Sequence, residues 1–233
     1  MTYDFVSVCN RFGGQMKKKK EKKQYLYTFG EEVANVVSHG VMAGLALFSM
    51  PFAIIWVYSR GDLLDAIGVS IFMISVFLML SASALYHSMA KDTKHKHVFK
   101  IFDHIFIYVA IAGSYTPIAL SVIGGWQGIL ITCIQWAMVI AGILQKVILN
   151  RKDPKSSVAI YLIMGWTIVA FFPLFFRKAS LELISMIFTG GIMYSIGAFF
   201  YSKKAFKYYH LVWHMAVNLG VAAHFIGIIF FLY

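Results

Sequence analysis

Long apolar runs separated by short polar clusters dominate the chain. A helix that crosses a bilayer needs about 20 predominantly apolar residues. Seven runs of that kind are predicted, over Val33–Tyr58, Leu64–Met89, Val98–Val122, Gly128–Leu149, Ser157–Phe176, Leu181–Tyr201 and Tyr208–Tyr233. The separators Ser59–Leu63, Ala90–His97, Ile123–Gln127, Asn150–Ser156, Arg177–Ser180 and Ser202–Lys207 are too short to hold a soluble domain. Residues 31–233 therefore read as one all-α, integral-membrane, seven-transmembrane helical bundle, and residues 1–30 as a basic tail.

Composition agrees. The 233 residues are 60% hydrophobic and 13% charged, whereas soluble domains carry roughly 25% charged and 45–50% apolar residues. Disorder is excluded because it needs low hydrophobicity. Two cysteines, Cys9 and Cys133, make neither a disulfide framework nor a cysteine zinc site. A net charge of +11 would suit nucleic acid if the cations formed one patch. They fall instead in the separators between apolar runs, which is a membrane pattern.

Those cations set the orientation. The tail and the second, fourth and sixth separators, with Lys100 and Lys146 at the adjoining span ends, hold 18 of the 21 Lys and Arg, and the opposite side holds only Arg60, Arg177 and Lys178. By the positive-inside rule the N-terminus is cytoplasmic and the C-terminus outside. G-protein-coupled receptors have the reverse orientation. The lysines between Lys17 and Lys23 resemble the basic part of a signal peptide, but the run that follows is too long, so the first span reads as an uncleaved anchor. Met16 directly precedes the lysines, and residues 1–15 are read as an upstream start without structural weight. The basic face is expected to meet anionic lipid headgroups.

Ionisable groups inside spans are costly and mark function by default. Here they are Glu31, Glu32 and His39 in span one, His87 at the end of span two, Asp103 and His104 early in span three, and His210, His214 and His224 in span seven. Span parity brings His39, His87, Asp103, His210 and His214 to one depth, in the cytoplasmic half. His224 lies fourteen residues beyond His210, or roughly 21 Å deeper at 1.5 Å per residue.

Helical spacing sharpens this convergence. His210, His214 and Asn218 form one stripe at i, i+4 and i+8, and Ser83 and His87 are again four apart. Glu32, Asn35 and His39 follow i, i+3, i+7 on span one. Three histidines, His87, His210 and His214, make the ligand set of a catalytic zinc site with one position left for water. Such an ion lowers the pKa of its water and polarises a carbonyl. Asp103 could act as outer-shell acceptor or as general base, and Ser83 could hold a water or an oxyanion. Imidazole also suits copper, nickel and iron.

Plainer roles fit the remaining groups. His95 and His97 read as solvated loop residues, His104 as facing headgroups, His224 as a packing histidine, and His39 as bonded to a neighbouring helix. Gly40 and Gly44 form a GxxxG pair that permits close helix contact. Pro51, Pro117 and Pro173 are expected to kink their spans. No dinucleotide, Walker or nucleophile-elbow motif is present.

The segments EEVANVVSHG (Glu31–Gly40), SASALYH (Ser81–His87), FDHIFIYVAIAGSYTP (Phe102–Pro117) and HLVWHMAVNLGVAAHF (His210–Phe225) together resemble the hemolysin III family. That family is the bacterial branch of the progestin and adiponectin receptors (PAQR). The resemblance covers the chain from Glu31 onward. It implies a seven-span bundle with the N-terminus inside. It also implies one zinc ion per chain on His87, His210 and His214 near the cytoplasmic face, with Ser83 and Asp103 as the motif's serine and aspartate. The related alkaline ceramidases imply lipid amide hydrolysis. The bacterial branch implies a plasma-membrane location, a link to membrane-lipid homeostasis and haemolytic activity. The large N-terminal domain of receptor-type members is not matched, so hormone binding is not implied.

Three functions follow as expectations. The first is a zinc-dependent hydrolase of a lipid amide or ester, with Asp103 and Ser83 catalytic and Glu32, Asn35, His39 and Asn218 supporting the metal ligands. The second is a pore-forming cytolysin. The third is a membrane sensor in which zinc is structural. The oligomeric state is not legible.

Overall fold

Thr28 caps the first helix, which begins four residues ahead of the predicted apolar run. Its hydroxyl accepts from Glu31 N at 3.4 Å, while Glu31 Oε2 accepts from Thr28 N at 2.8 Å. This reciprocal box satisfies amides that an apolar cap would leave bare. Helix α1 then runs over Phe29–Tyr58. Asp62 and Asp65 form a second box at the start of α2, Leu63–Ser88. Thr93 caps α3, Lys94–Pro117, by accepting from Lys96 N at 3.1 Å. His95 and His97 thus sit on the first turn of a helix and not in a loop, and both are exposed.

The structure is a computed structural model that describes residues 27–147, 154–203 and 206–232. The expectations for the tail lysines, Cys9 and the loop cations Arg151, Lys152 and Lys204 fall outside the described residues. The remaining elements are α4 (Gly125–Val147), α5 (Pro154–Gly165), α6 (Phe172–Lys178), α7 (Leu181–Lys203) and α8 (Tyr209–Phe231). Among the described residues, seven stretches are long and apolar enough to cross a membrane, the fifth being Ser157–Lys178.

The prolines act locally, each differently. Pro51 lies within α1, which continues past it. Pro117 ends the regular part of α3, and the chain goes on as a π-helical turn, Ile118–Ile123. Span five is not one α-helix. A 3₁₀ segment, Trp166–Phe171, joins α5 to α6, and Pro173 falls in the first turn of α6. A proline there offers no N–H to the preceding turn, so the tighter 3₁₀ pattern replaces α-helical bonds. The outer turn between spans three and four uses Gly124 and Gly125 at φ +61° and +60°, where a Cβ would be strained.

Helices α1 to α4 pack each against the next, α7 packs along α8, and α8 returns against α1. Helix α5 bridges α3 and α7. The GxxxG pair of α1 does not drive this packing: a Cβ on Gly44 would meet nothing within 4 Å, and one on Gly40 would only touch Ala84 at 3.9 Å. The close approaches lie elsewhere, because a large side chain occupies the space opposite each glycine. Gly190 of α7 faces the His224 ring, Gly220 of α8 faces Tyr194, and Gly142 of α4 lies against Tyr108. Lipid is as apolar as the side chains, so such van der Waals fit replaces hydrophobic burial as the force between spans. Many outward positions are large and apolar, with Phe48 82% and Ile55 68% exposed.

Candidate metal centre

His87 lies in the last turn of α2, and α8 begins beside it with His210 and His214. The left-handed Tyr208 (φ 64°) turns the chain sharply into α8, so its first two turns stand against the end of α2. Each of the three histidines offers a ring nitrogen, and these atoms lie within 4.8 Å of one another. Nε2 of His87 and Nε2 of His210 are 3.0 Å apart. Tetrahedral zinc with Zn–N near 2.0–2.1 Å sets its nitrogens about 3.3 Å apart, close to the His87–His210 separation. All three side chains are buried, and among the described residues this is the one group with metal-site spacing. Three neutral imidazoles match a borderline-soft divalent ion, and their identity as a cluster does not choose among such ions.

Helix α1 supplies the polar surroundings. Nδ1 of His87 is 2.6 Å from Glu32 Oε2, and Lys96 Nζ donates to Glu32 Oε1 at 2.8 Å. Asn35 Nδ2 lies 3.5 Å from the same His87 nitrogen, a marginal contact. Ser38 Oγ is 3.0 Å from Nδ1 of His214 and donates to Asn35 O at 2.9 Å. Asn218 Nδ2 donates to Ser38 O at 3.1 Å, so it ties α8 to α1 and does not touch a histidine through this bond. His39 departs from its expected hydrogen bond. Neither ring nitrogen has a partner, and the ring stacks on His214 with centroids 3.6 Å apart.

Tyr27 covers the cluster from the tail side, its ring centroid 5.9 Å from His87 and 5.2 Å from His210. Burial, reinforced by the Tyr209 hydroxyl 3.1 Å away, pushes its phenol well above the usual tyrosine range, so it stays neutral.

Behind the histidines lies a cavity of about 130 Å³, mostly apolar, running between α2, α3, α5, α7 and α8. His210, His214, Ser83 and Asp103 all line it. Ser83 is buried one turn before His87. Asp103 is partly buried, with Oδ2 3.8 Å from His104 Nδ1. His104 does not face headgroups: it lines the cavity, and its Nδ1 meets Lys100 O at 2.6 Å. His224 lies at the far end of the same cavity, its Nε2 3.2 Å from Ile187 O and its ring edge-on to Tyr194.

Ser38, Lys96 and Tyr27 were not legible as site residues in the sequence. Ser38 carried a weak signal, since it lies three residues after Asn35 and six after Glu32 on the polar face of span one. Lys96 read as one more loop cation, and its reach back to Glu32 depends on the turn between α2 and α3. Tyr27 precedes the first helix and has no periodic context.

Residues 27–225 match the family described as Haemolysin-III related. The "Hemolysin-3 homolog" of Bacillus subtilis (strain 168) is 34% identical over 206 residues, covering 88% of this chain and 96% of the relative. The "Hemolysin-3" of Bacillus cereus is 33% identical over 201 residues, covering 86% and 91%. The human "Monocyte to macrophage differentiation factor", a PAQR-related protein, is 25% identical over 184 residues, covering 76% and 70%. No solved structure matches the chain.

Proposed function

We propose that this chain, which belongs to the Haemolysin-III related family, is a zinc-dependent integral-membrane hydrolase of a lipid amide or ester. One observation carries the reading: two histidines of the triad, His210 and His214, line a single, largely apolar cavity together with Ser83 and Asp103 inside a membrane bundle. A structural metal needs a closed shell and no cavity, whereas a catalytic one keeps an open position.

His87, His210 and His214 would hold the ion. When bound, it supplies a Lewis acid and a lowered water pKa. The chain's own residues do the rest. The apolar walls of the cavity take an acyl chain out of lipid and set its carbonyl toward the triad. Asp103 is the general base, accepting a proton at its carboxylate and returning it to the leaving group. The Ser83 hydroxyl, one turn below His87, orients the nucleophile by hydrogen bonding. Glu32, Asn35, His39 and Asn218 support the ligands from α1 and α8. The triad faces the cytoplasm of a bacterial plasma membrane, since 18 of 21 cations belong to that side. There anionic headgroups would meet the basic loops, and the activity would serve membrane-lipid homeostasis.

The test is turnover of fluorescent ceramide and fatty-acyl ester substrates by the purified protein, with and without chelator. Release that is abolished by chelator and restored by zinc supports the reading. No release from any lipid amide or ester, with metal fully bound, overturns it.

A pore-forming cytolysin is the second reading, favoured by the name Hemolysin-3 borne by the Bacillus cereus relative. Dye leakage from liposomes that persists in chelator would support it. The apolar cavity walls disfavour an ion path.

A further inference from the structure

Two of the three histidines have their outer nitrogens taken by side chains of α1, a helix that contributes no ligand of its own. A carboxylate only accepts, so the 2.6 Å contact between Glu32 Oε2 and His87 requires the hydrogen to sit on His87 Nδ1. The carboxylate is held in turn by Lys96 Nζ at 2.8 Å, which also donates to Met89 O at 3.1 Å. The Ser38 contact is fixed by counting protons. A hydroxyl has one hydrogen, and Ser38 gives it to Asn35 O at 2.9 Å. Ser38 Oγ can then only accept at its 3.0 Å contact with His214, so the hydrogen sits on His214 Nδ1 as well. In a neutral imidazole the other nitrogen carries the lone pair. Both rings therefore turn a bare Nε2 inward.

We infer that Glu32 and Ser38 are positioning residues that lock His87 and His214 in the Nδ1–H tautomer, and that Lys96 and Asn35 hold those two residues in place. Helix α1 thereby presets the metal-binding form of two ligands before any ion arrives. Outer partners of this kind raise ligand basicity and fix ring orientation. The inference rests on the triad being a metal site, and it adds the device that prepares the site.

The test is zinc affinity of the full-length protein in detergent, by competition with a chromophoric chelator. Glu32→Ala and Ser38→Ala should each weaken zinc binding by about 10–100-fold. Ser38→Thr, which keeps the hydroxyl, should bind like wild type, and Glu32→Gln, which keeps an acceptor, should lose less than Glu32→Ala. A purely structural role would not divide the variants by acceptor chemistry. In wild-type protein stripped of metal, nitrogen NMR of isotope-labelled histidine reads the tautomers without any variant. His87 and His214 should show hydrogen on Nδ1. Nε2–H tautomers at both residues, or zinc affinity within twofold of wild type in both alanine variants, would overturn the inference. If His210→Ala/His214→Ala binds zinc as well as wild type, the metal site itself fails, and the inference fails with it.

Discussion

His39 of α1 and His214 of α8 stack with ring centroids 3.6 Å apart and planes within 2° of parallel. The stack joins the first and last spans at the level of the triad, and Ser38, the preceding residue on α1, holds the Nδ1 edge of the same His214 ring. One ligand is thus fixed in plane by stacking and in rotation by a hydrogen bond. His39→Phe keeps a flat ring and should leave zinc affinity within about threefold. His39→Ala should lower it by about 10-fold, the lower end of outer-partner effects. Chelator competition measures both.

Asp103 lines the same cavity as His210 and His214. Asp103→Asn should therefore keep its zinc and lose hydrolysis by about 10²–10⁴-fold, the range of a positioned acid or base. Zinc content and turnover on the same preparation separate the two effects. Wild-type turnover in this variant would remove Asp103 from the mechanism.

The glycines give a paired stability prediction. Gly190→Ala places a methyl group in the space of the His224 ring, and overpacking of this kind costs about 1–3 kcal/mol. Gly44→Ala places it in open space and should be neutral or gain about 0.5–1 kcal/mol through reduced helix entropy cost. Thermal midpoints in detergent should fall by several degrees for the first and hold or rise for the second.

Removing Thr28 tests the start of α1. Thr28→Ala loses the box with Glu31, at a cost of about 1 kcal/mol. Glu32 lies in the first turn of the same helix, so fraying there should also weaken zinc binding modestly. Thermal unfolding and chelator competition report the two consequences separately.

The spans were legible because apolar length alone defines them, and the convergence of His87, His210 and His214 followed from helix parity and i, i+4 spacing. Two helix starts lie four residues ahead of the apolar runs, since the Thr28 and Thr93 caps extend those helices into polar sequence that a hydropathy reading stops short of. The GxxxG pair misled because two small residues show only that contact is permitted. Which face meets another helix is decided by the whole bundle, and there Gly190 and Gly220 are the crowded positions. The surroundings of His39 and His104 differ from the sequence expectation for a related reason. Depth can be read from sequence, but the rotation of a ring about its helix cannot. Lys96 reaches the site through side-chain geometry that no residue pattern records, and the pattern around Ser38 is too weak to single it out.

The most direct test of the central claim is the metal content of detergent-purified protein by mass spectrometry, beside His210→Ala/His214→Ala. The account predicts close to one zinc per chain in the wild type and loss of it in the variant. Wild-type protein that carries no metal and takes up none from a zinc-buffered solution would contradict it.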